Sequence, residues 1–224
     1  MEVPANIPDG ASYAKNRIVI IGHGKSPMGK GWGEKIDACD YVIRMWDNHW
    51  QNEADYGTKY DYGFFEAHPS MMPHFWQHKQ RDPTEGWAAS LLFHSPRAYC
   101  QMPEGTELID QAPWAEIGEQ LGGMGETGRL QFTRGTIAAC WAIENSEPGD
   151  QIILVGYDNI HAGTALPVRA GFPEEYLEQQ STFSFNGYKP GRKYGNHDFQ
   201  CENPVMQHLA KKHNVTVTFA QDIW

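Results

Sequence analysis

The sequence predicts an α/β domain with a mainly parallel sheet and helices on both faces. Three observations carry this. Arg17–Gly22 and Gln151–Gly156 are solid apolar runs, the mark of strands buried on both faces. Segments with helical character alternate with such runs along the chain. No Pro-, Gly- or Ser-rich linker divides the 224 residues, so one domain over 17–224 is expected, preceded by a loose flexible arm at 1–16.

The elements follow in order. Arg17–Gly22 is the first strand, and a glycine-rich loop runs from Gly22 to Gly33. Tyr41–Trp46 reads as the second strand, Tyr60–Phe65 as the third and Ser90–His94 as the fourth. Residues 103–128 read as an irregular loop with a short helix around Trp114–Leu121. Thr133 is available to cap a helix reaching Asn145, and Gln151–Gly156 is the next strand. Residues 159–196 form a long polar connection, the kind of loop that often binds or covers a ligand. Asn203-Pro204 reads as cap and first turn of a helix ending near His213, and Val215–Phe219 closes the sheet.

Composition excludes several classes. Hydrophobic residues make up 40% and charged residues 21%, which is globular rather than disordered. A net charge of −10 argues against a broad nucleic-acid surface, though a local basic groove stays open. No stretch approaches the roughly 20 apolar residues of a membrane span, and the N-terminus lacks a secretory leader. The four cysteines show no CxxC pairing, so neither a disulfide framework nor a zinc site is indicated. A soluble cytoplasmic protein is expected.

Ligands of parallel sheets lie beyond the carboxyl ends of the strands, so the loops there hold the candidate chemistry. Glycines in the loop after the first strand let backbone N–H groups approach a phosphate, but their spacing fits neither a Walker loop nor GxGxxG; an ordinary surface loop is the other reading. Thr133-Arg134-Gly135-Thr136 at a helix start offers hydroxyls and a guanidinium to an anion, or merely caps the helix. His197 lies in a polar loop before a helix, where an imidazole with an ordinary pKa of about 6.5 suits proton abstraction. Glu202 is placed either to orient that histidine or to favour the helix start.

In this order the segments resemble the sialyl motifs of animal-type sialyltransferases. Ile20–Met45 is similar to the large motif, and Tyr56–Lys59 to its continuation. Thr133–Thr136 with the following helix and Ile152–Tyr157 is similar to the small motif. His197 to Glu202, with Gly195 before it, matches the very small motif HxxxxE. The resemblance implies a Rossmann-like domain of the GT-A variant type, transferring a sugar from a CMP-activated donor to an acceptor hydroxyl with inversion and without a metal or other cofactor. It implies His197 as general base, with Glu202 beside it in the catalytic motif. It assigns the donor to Gly22, His23, Gly24, Ser26, Arg44, Asn48, Thr133, Arg134, Gly135, Thr136, Gly156 and Tyr157, and makes Tyr188, Lys193 and Tyr194 candidates for the phosphate.

The sequence departs from the family where the donor would bind. His23 and Trp46 stand where the family has Asn, and Arg134 stands at a hydroxyl position. The third motif is not visible, and the family disulfide is absent. The sugar is therefore open. The acceptor is a glycan or another hydroxyl-bearing molecule. A hydroxymethylated DNA base is an alternative, served by a rim of Lys25, Lys30, Arg134, Arg169, Lys189, Arg192 and Lys193. A non-catalytic nucleotide-sugar-binding protein and a nucleotide-sugar hydrolase are the remaining readings.

Overall fold

A computed structural model describes residues 15–45, 52–67, 81–91, 102–124, 130–163 and 198–224. Within them seven strands form one sheet in the order β5-β4-β3-β2-β1-β6-β7. The strands are β1 (Arg17–Ile21), β2 (Tyr41–Met45), β3 (Tyr62–Ala67), β4 (Gly86–Leu91), β5 (Glu107–Ile109), β6 (Gln151–Val155) and β7 (Thr216–Phe219). Every neighbouring pair is parallel. The chain moves from β1 outward through β2 to β5, then returns to place β6 on the other side of β1. The order therefore reverses at β1 and β6, and a crevice opens above their carboxyl ends.

Alternation along β1 explains the burial of both faces. Ile18 and Ile20 point into a core shared with α3 (Ala112–Gln120), α4 (Arg134–Glu144) and α6 (Phe199–His213). Val19 and Ile21 point to the opposite face, into a core with Trp32, Ile36 of α1 (Gly33–Asp37), Tyr56 of α2 (Glu53–Tyr56) and Ala220 of α7 (Ala220–Ile223). The mainly parallel sheet with helices on both faces is as the apolar runs require.

Several boundaries differ from the sequence reading. The third strand begins at Tyr62 rather than Tyr60, because Asp61 is engaged with β2: its N–H and carboxylate meet the Val42 carbonyl and N–H at 3.0 and 2.8 Å. The fourth begins at Gly86 rather than Ser90. Its small Ala88 and Ser90 carry little strand signal, and they lie on the face where Trp141 packs against Tyr62 and Phe64. Within 103–128 the short helix expected around Trp114–Leu121 is present as α3, whereas β5 was not expected from the sequence. The long connection begins as a short helix, α5 (Asp158–Ala162); its residues 164–196 lie outside the described residues.

The helix expected from Asn203-Pro204 starts at Phe199. Asp198 is its cap, accepting from the Gln200 N–H at 3.2 Å, and Pro204 sits in the second turn. There its missing N–H forfeits only the bond to the carbonyl of exposed Gln200. Thr133 caps α4 as expected, accepting from the Thr136 N–H at 3.3 Å. The N-terminal arm falls outside the described residues up to residue 14; Lys15 and Asn16 are bonded to Gly149 and Asp150. Among the described residues no helix is long and apolar enough to cross a membrane.

Candidate functional site

The crevice is closed on one side by direct bonding between the loops after β1 and β6. The Gly22 N–H donates to Val155 O at 2.8 Å and the Gly24 N–H to Gly156 O at 2.7 Å. The N–H groups of Lys25 and Ser26 both reach Oδ2 of Asp158, at 2.6 and 3.0 Å. A Cβ on Gly24 would lie 2.6 Å from both Gly156 O and Asp158 Cγ, so only glycine allows the two loops to meet. Tyr56 reaches over from α2 and donates its hydroxyl to Gly24 O at 3.1 Å. Burial pushes that phenol well above its ordinary pKa, and the nearby Asp158 and Asp55 add to the effect.

The same loop contains a second anion-holding turn. Gly29 and Gly31 take positive φ of 71° and 63°, and their N–H groups converge on the Asp55 carboxylate, both at 2.8 Å. These bonds hold the Asp55 carboxyl below the usual carboxylate range. The glycines that the sequence offered to a phosphate instead hold a carboxylate of this chain and lock the loop to α2.

The amino end of α4 forms the opposite wall. Tyr157, buried after β6, donates its hydroxyl to Gly135 O at 2.9 Å. Glu202, in the first turn of α6 and fully buried, accepts from the Thr133 N–H at 3.2 Å, the Thr133 hydroxyl at 2.6 Å and the Thr136 hydroxyl. An internal anion thus sits at the positive end of α4. Glu202 ties the two motif-bearing helices together. Arg134, the first residue of α4, turns toward β3, its Nε 3.9 Å from Oε2 of Glu66. It therefore does not belong to an outward basic rim. Lys25 and Lys30 are exposed; Arg169, Lys189, Arg192 and Lys193 lie outside the described residues.

The structure brings together Gly22, His23, Gly24, Ser26, Thr133, Arg134, Gly135, Thr136, Gly156, Tyr157 and Glu202 around the crevice, with His23 half-buried in the β1 loop. Arg44 lies deeper. Its guanidinium donates to Lys59 O and Tyr56 O at 2.7 and 2.8 Å, pinning the segment after α2. Burial, aided by Arg81, lowers its pKa to about 10. Asn48, Tyr188, Lys193, Tyr194 and His197 lie outside the described residues.

Asp158 was not among the sequence candidates. The available signal was its place directly after Gly156-Tyr157, at the carboxyl end of a buried strand. Its Oδ1 and the Ser26 Oγ are buried atoms without a hydrogen-bond partner among the described residues.

No protein-family model matches the chain, and no curated protein matches it in sequence. Solved structures do. The sialyltransferase CstII from Campylobacter jejuni, in complex with the substrate analogue cytidine-5'-monophosphate, superposes with a TM-score of 0.51 at 13% identity, covering 92% of this chain and 79% of that one. The fold is Rossmann-like and similar to that of a solved sialyltransferase. A mammalian sialyltransferase superposes with a TM-score of 0.48 at 16% identity, over 91% of this chain and 68% of that one. A mammalian sialyltransferase in complex with Gal-beta-1-3GalNAc-ortho-nitrophenol gives 0.45 at 14%, over 91% and 69%.

Proposed function

We propose that this chain is a sialyltransferase-like glycosyltransferase of the cytoplasm. It moves a sugar from a nucleotide-activated donor, with CMP the first candidate, to an acceptor hydroxyl with inversion and without a metal. One observation carries the reading. The segments resembling the large, small and very small motifs, far apart in sequence, meet at the crevice between β1 and β6: Gly24 on Gly156, Tyr157 on Gly135, and Glu202 on Thr133 and Thr136. The CMP complex of the structurally similar CstII supports CMP as the nucleotide to test first.

In this reading His197 takes the proton of the acceptor hydroxyl as its oxygen bonds to the anomeric carbon. The bond from that carbon to the phosphate oxygen breaks, and the nucleotide leaves with the electron pair. Glu202 acts as a positioning residue, holding α4 against α6 next to His197. Tyr188, Lys193 and Tyr194 are the candidates for the phosphate charge. Fixed geometry and a good leaving group supply most of the rate.

Thermal unfolding with CMP, CDP, UMP, UDP, GDP and ADP tests the donor. A nucleotide at 100 times its Kd stabilises the fold by about 2.7 kcal/mol. A shift with CMP alone is expected. A shift with UDP or GDP instead overturns the CMP donor, and no shift with any nucleotide favours a protein that does not use one.

A further inference from the structure

We infer that Trp224 is a positioning residue for the crevice: through it the short helix α7 fastens the end of the β1 loop to the segment that follows β6. This rests on the sugar-transfer reading, in which the crevice receives the nucleotide, and it concerns what holds the crevice walls in place.

The chain leaves β7 at the carboxyl end of the strands and turns at once into α7. Ala220, the first residue of α7, is fully buried in the core that holds Ile21 and Val155, the last residues of β1 and β6. From there α7 reaches in two directions. Toward the β1 loop, the Trp224 N–H closes the helical turn on Ala220 O at 2.8 Å, and its ring meets Trp32 edge to face, with centroids 5.7 Å apart and planes at 71°. Trp32 is 5% exposed and follows Gly31, whose N–H donates to Asp55. Lys35 of α1 adds to the hold. Its Nζ donates to Trp224 O at 3.3 Å and lies 6.0 Å from the ring centroid. Toward the other wall, Asp222 Oδ1 lies 3.2 Å from Nε2 of His161, and the His161 ring meets Phe219 at 4.7 Å. His161 belongs to α5, which opens with Asp158, the residue that accepts from the Lys25 and Ser26 N–H groups.

The two contacts differ in weight. The His161 and Asp222 side chains are 39% and 54% exposed, and water screens such a pair. Trp224 packs its ring on a buried ring at the edge of a core, so it carries most of the hold. The β1 loop is thereby fixed at its start by Asp158, in its middle by Asp55 and at its end by Trp32. The first two are carboxylates that accept from loop N–H groups, and the third is ring packing. Without it, Gly29 and Gly31, both at positive φ, are the points about which the end of the loop can turn. A loop that samples other arrangements must be ordered when a nucleotide binds, and that cost weakens affinity.

The test is hydrogen–deuterium exchange by mass spectrometry on the full chain, with CMP binding measured by calorimetry on the same samples. The variants are W224A, W224L and W224F, the last of which keeps an aromatic ring. In W224A, peptides covering residues 22–36 are expected to exchange about tenfold faster or more, while those covering β4 and β5 stay as in wild type. CMP affinity is expected to fall about fivefold or more, and W224F to recover most of both effects. If W224A does not fold, W224L gives the same comparison. Unchanged exchange in 22–36 overturns the inference. So does acceleration spread evenly over β4 and β5, which marks a general loss of stability, or unaltered CMP affinity beside a loosened loop. Absence of CMP binding by the wild-type chain overturns the donor reading instead, and the exchange pattern then decides the hold of Trp224 by itself.

Discussion

Replacing Glu202 with glutamine isolates the bond that joins the two motif-bearing helices. The wild-type carboxylate is fully buried and receives three donors, the Thr133 N–H at 3.2 Å, the Thr133 hydroxyl at 2.6 Å and the Thr136 hydroxyl. Glutamine keeps the shape but turns one acceptor oxygen into a donor that faces another donor. A hydrogen bond to a charged group contributes about 1.5–3 kcal/mol, and a carboxylate at a partly buried helix start adds up to about 2. These terms overlap, so a loss of about 2–3 kcal/mol is expected for E202Q. Alanine, which also leaves a cavity and stranded hydroxyls, should lose about 3–5 kcal/mol. For a domain of this size E202Q corresponds to a fall in Tm of roughly 4–12 °C. Urea unfolding followed by circular dichroism and tryptophan fluorescence measures it. A cycle with T136V should show coupling of about 1 kcal/mol or more. Stability of E202Q within about 0.5 kcal/mol of wild type, or strict additivity with T136V, would refute the brace.

Three further outcomes are expected. H197A should lose turnover by about 10²-fold or more with donor affinity retained, and unchanged turnover in steady-state assays would remove His197 from the mechanism. The lowered folded pKa of Asp55 makes its contribution present above about pH 4 and lost as pH falls through that lower value. D55N should therefore flatten part of the acid limb of a Tm-against-pH curve. The rest should remain, because Asp37 acts with the same sign: burial raises its pKa, but bonds from Lys59 and Thr58 outweigh this and lower it. G24A should destabilise the fold by about 1–3 kcal/mol and blunt any nucleotide-induced Tm shift, since its methyl would press on Gly156 O and Asp158 at 2.6 Å; a Tm equal to wild type would show that the loops part easily.

Much of the fold was legible because burial on two faces writes itself into sequence. Ile18–Ile21 and Ile152–Val155 are apolar at every position because each side chain meets a core. The edges were less legible. Gly86–Leu91 contains small Ala88 and Ser90 on the face covered by Trp141 and its neighbours, and that need is set by the opposing helix rather than by the strand. Asn203-Pro204 carried a strong start signal for α6, yet Asp198 caps it earlier, since a proline in the second turn loses a single bond at an exposed carbonyl.

The candidate site divides in the same way. By itself the sequence determined which segments meet at the crevice: glycines after β1, hydroxyls opening α4, Gly156-Tyr157 after β6 and the acidic first turn of α6. These are local signatures of turns and caps. Only the tertiary structure decided what each group does, because partners come from distant segments. Asp55 fills the glycine turn, and Asp158 holds the β1 loop. Arg44 pins carbonyls below the site, Glu202 occupies the positive end of α4, and Arg134 is drawn inward by Glu66. Sequence spacing shows that an acceptor or a charge is present, whereas the fold determines whether a ligand or the protein itself satisfies it.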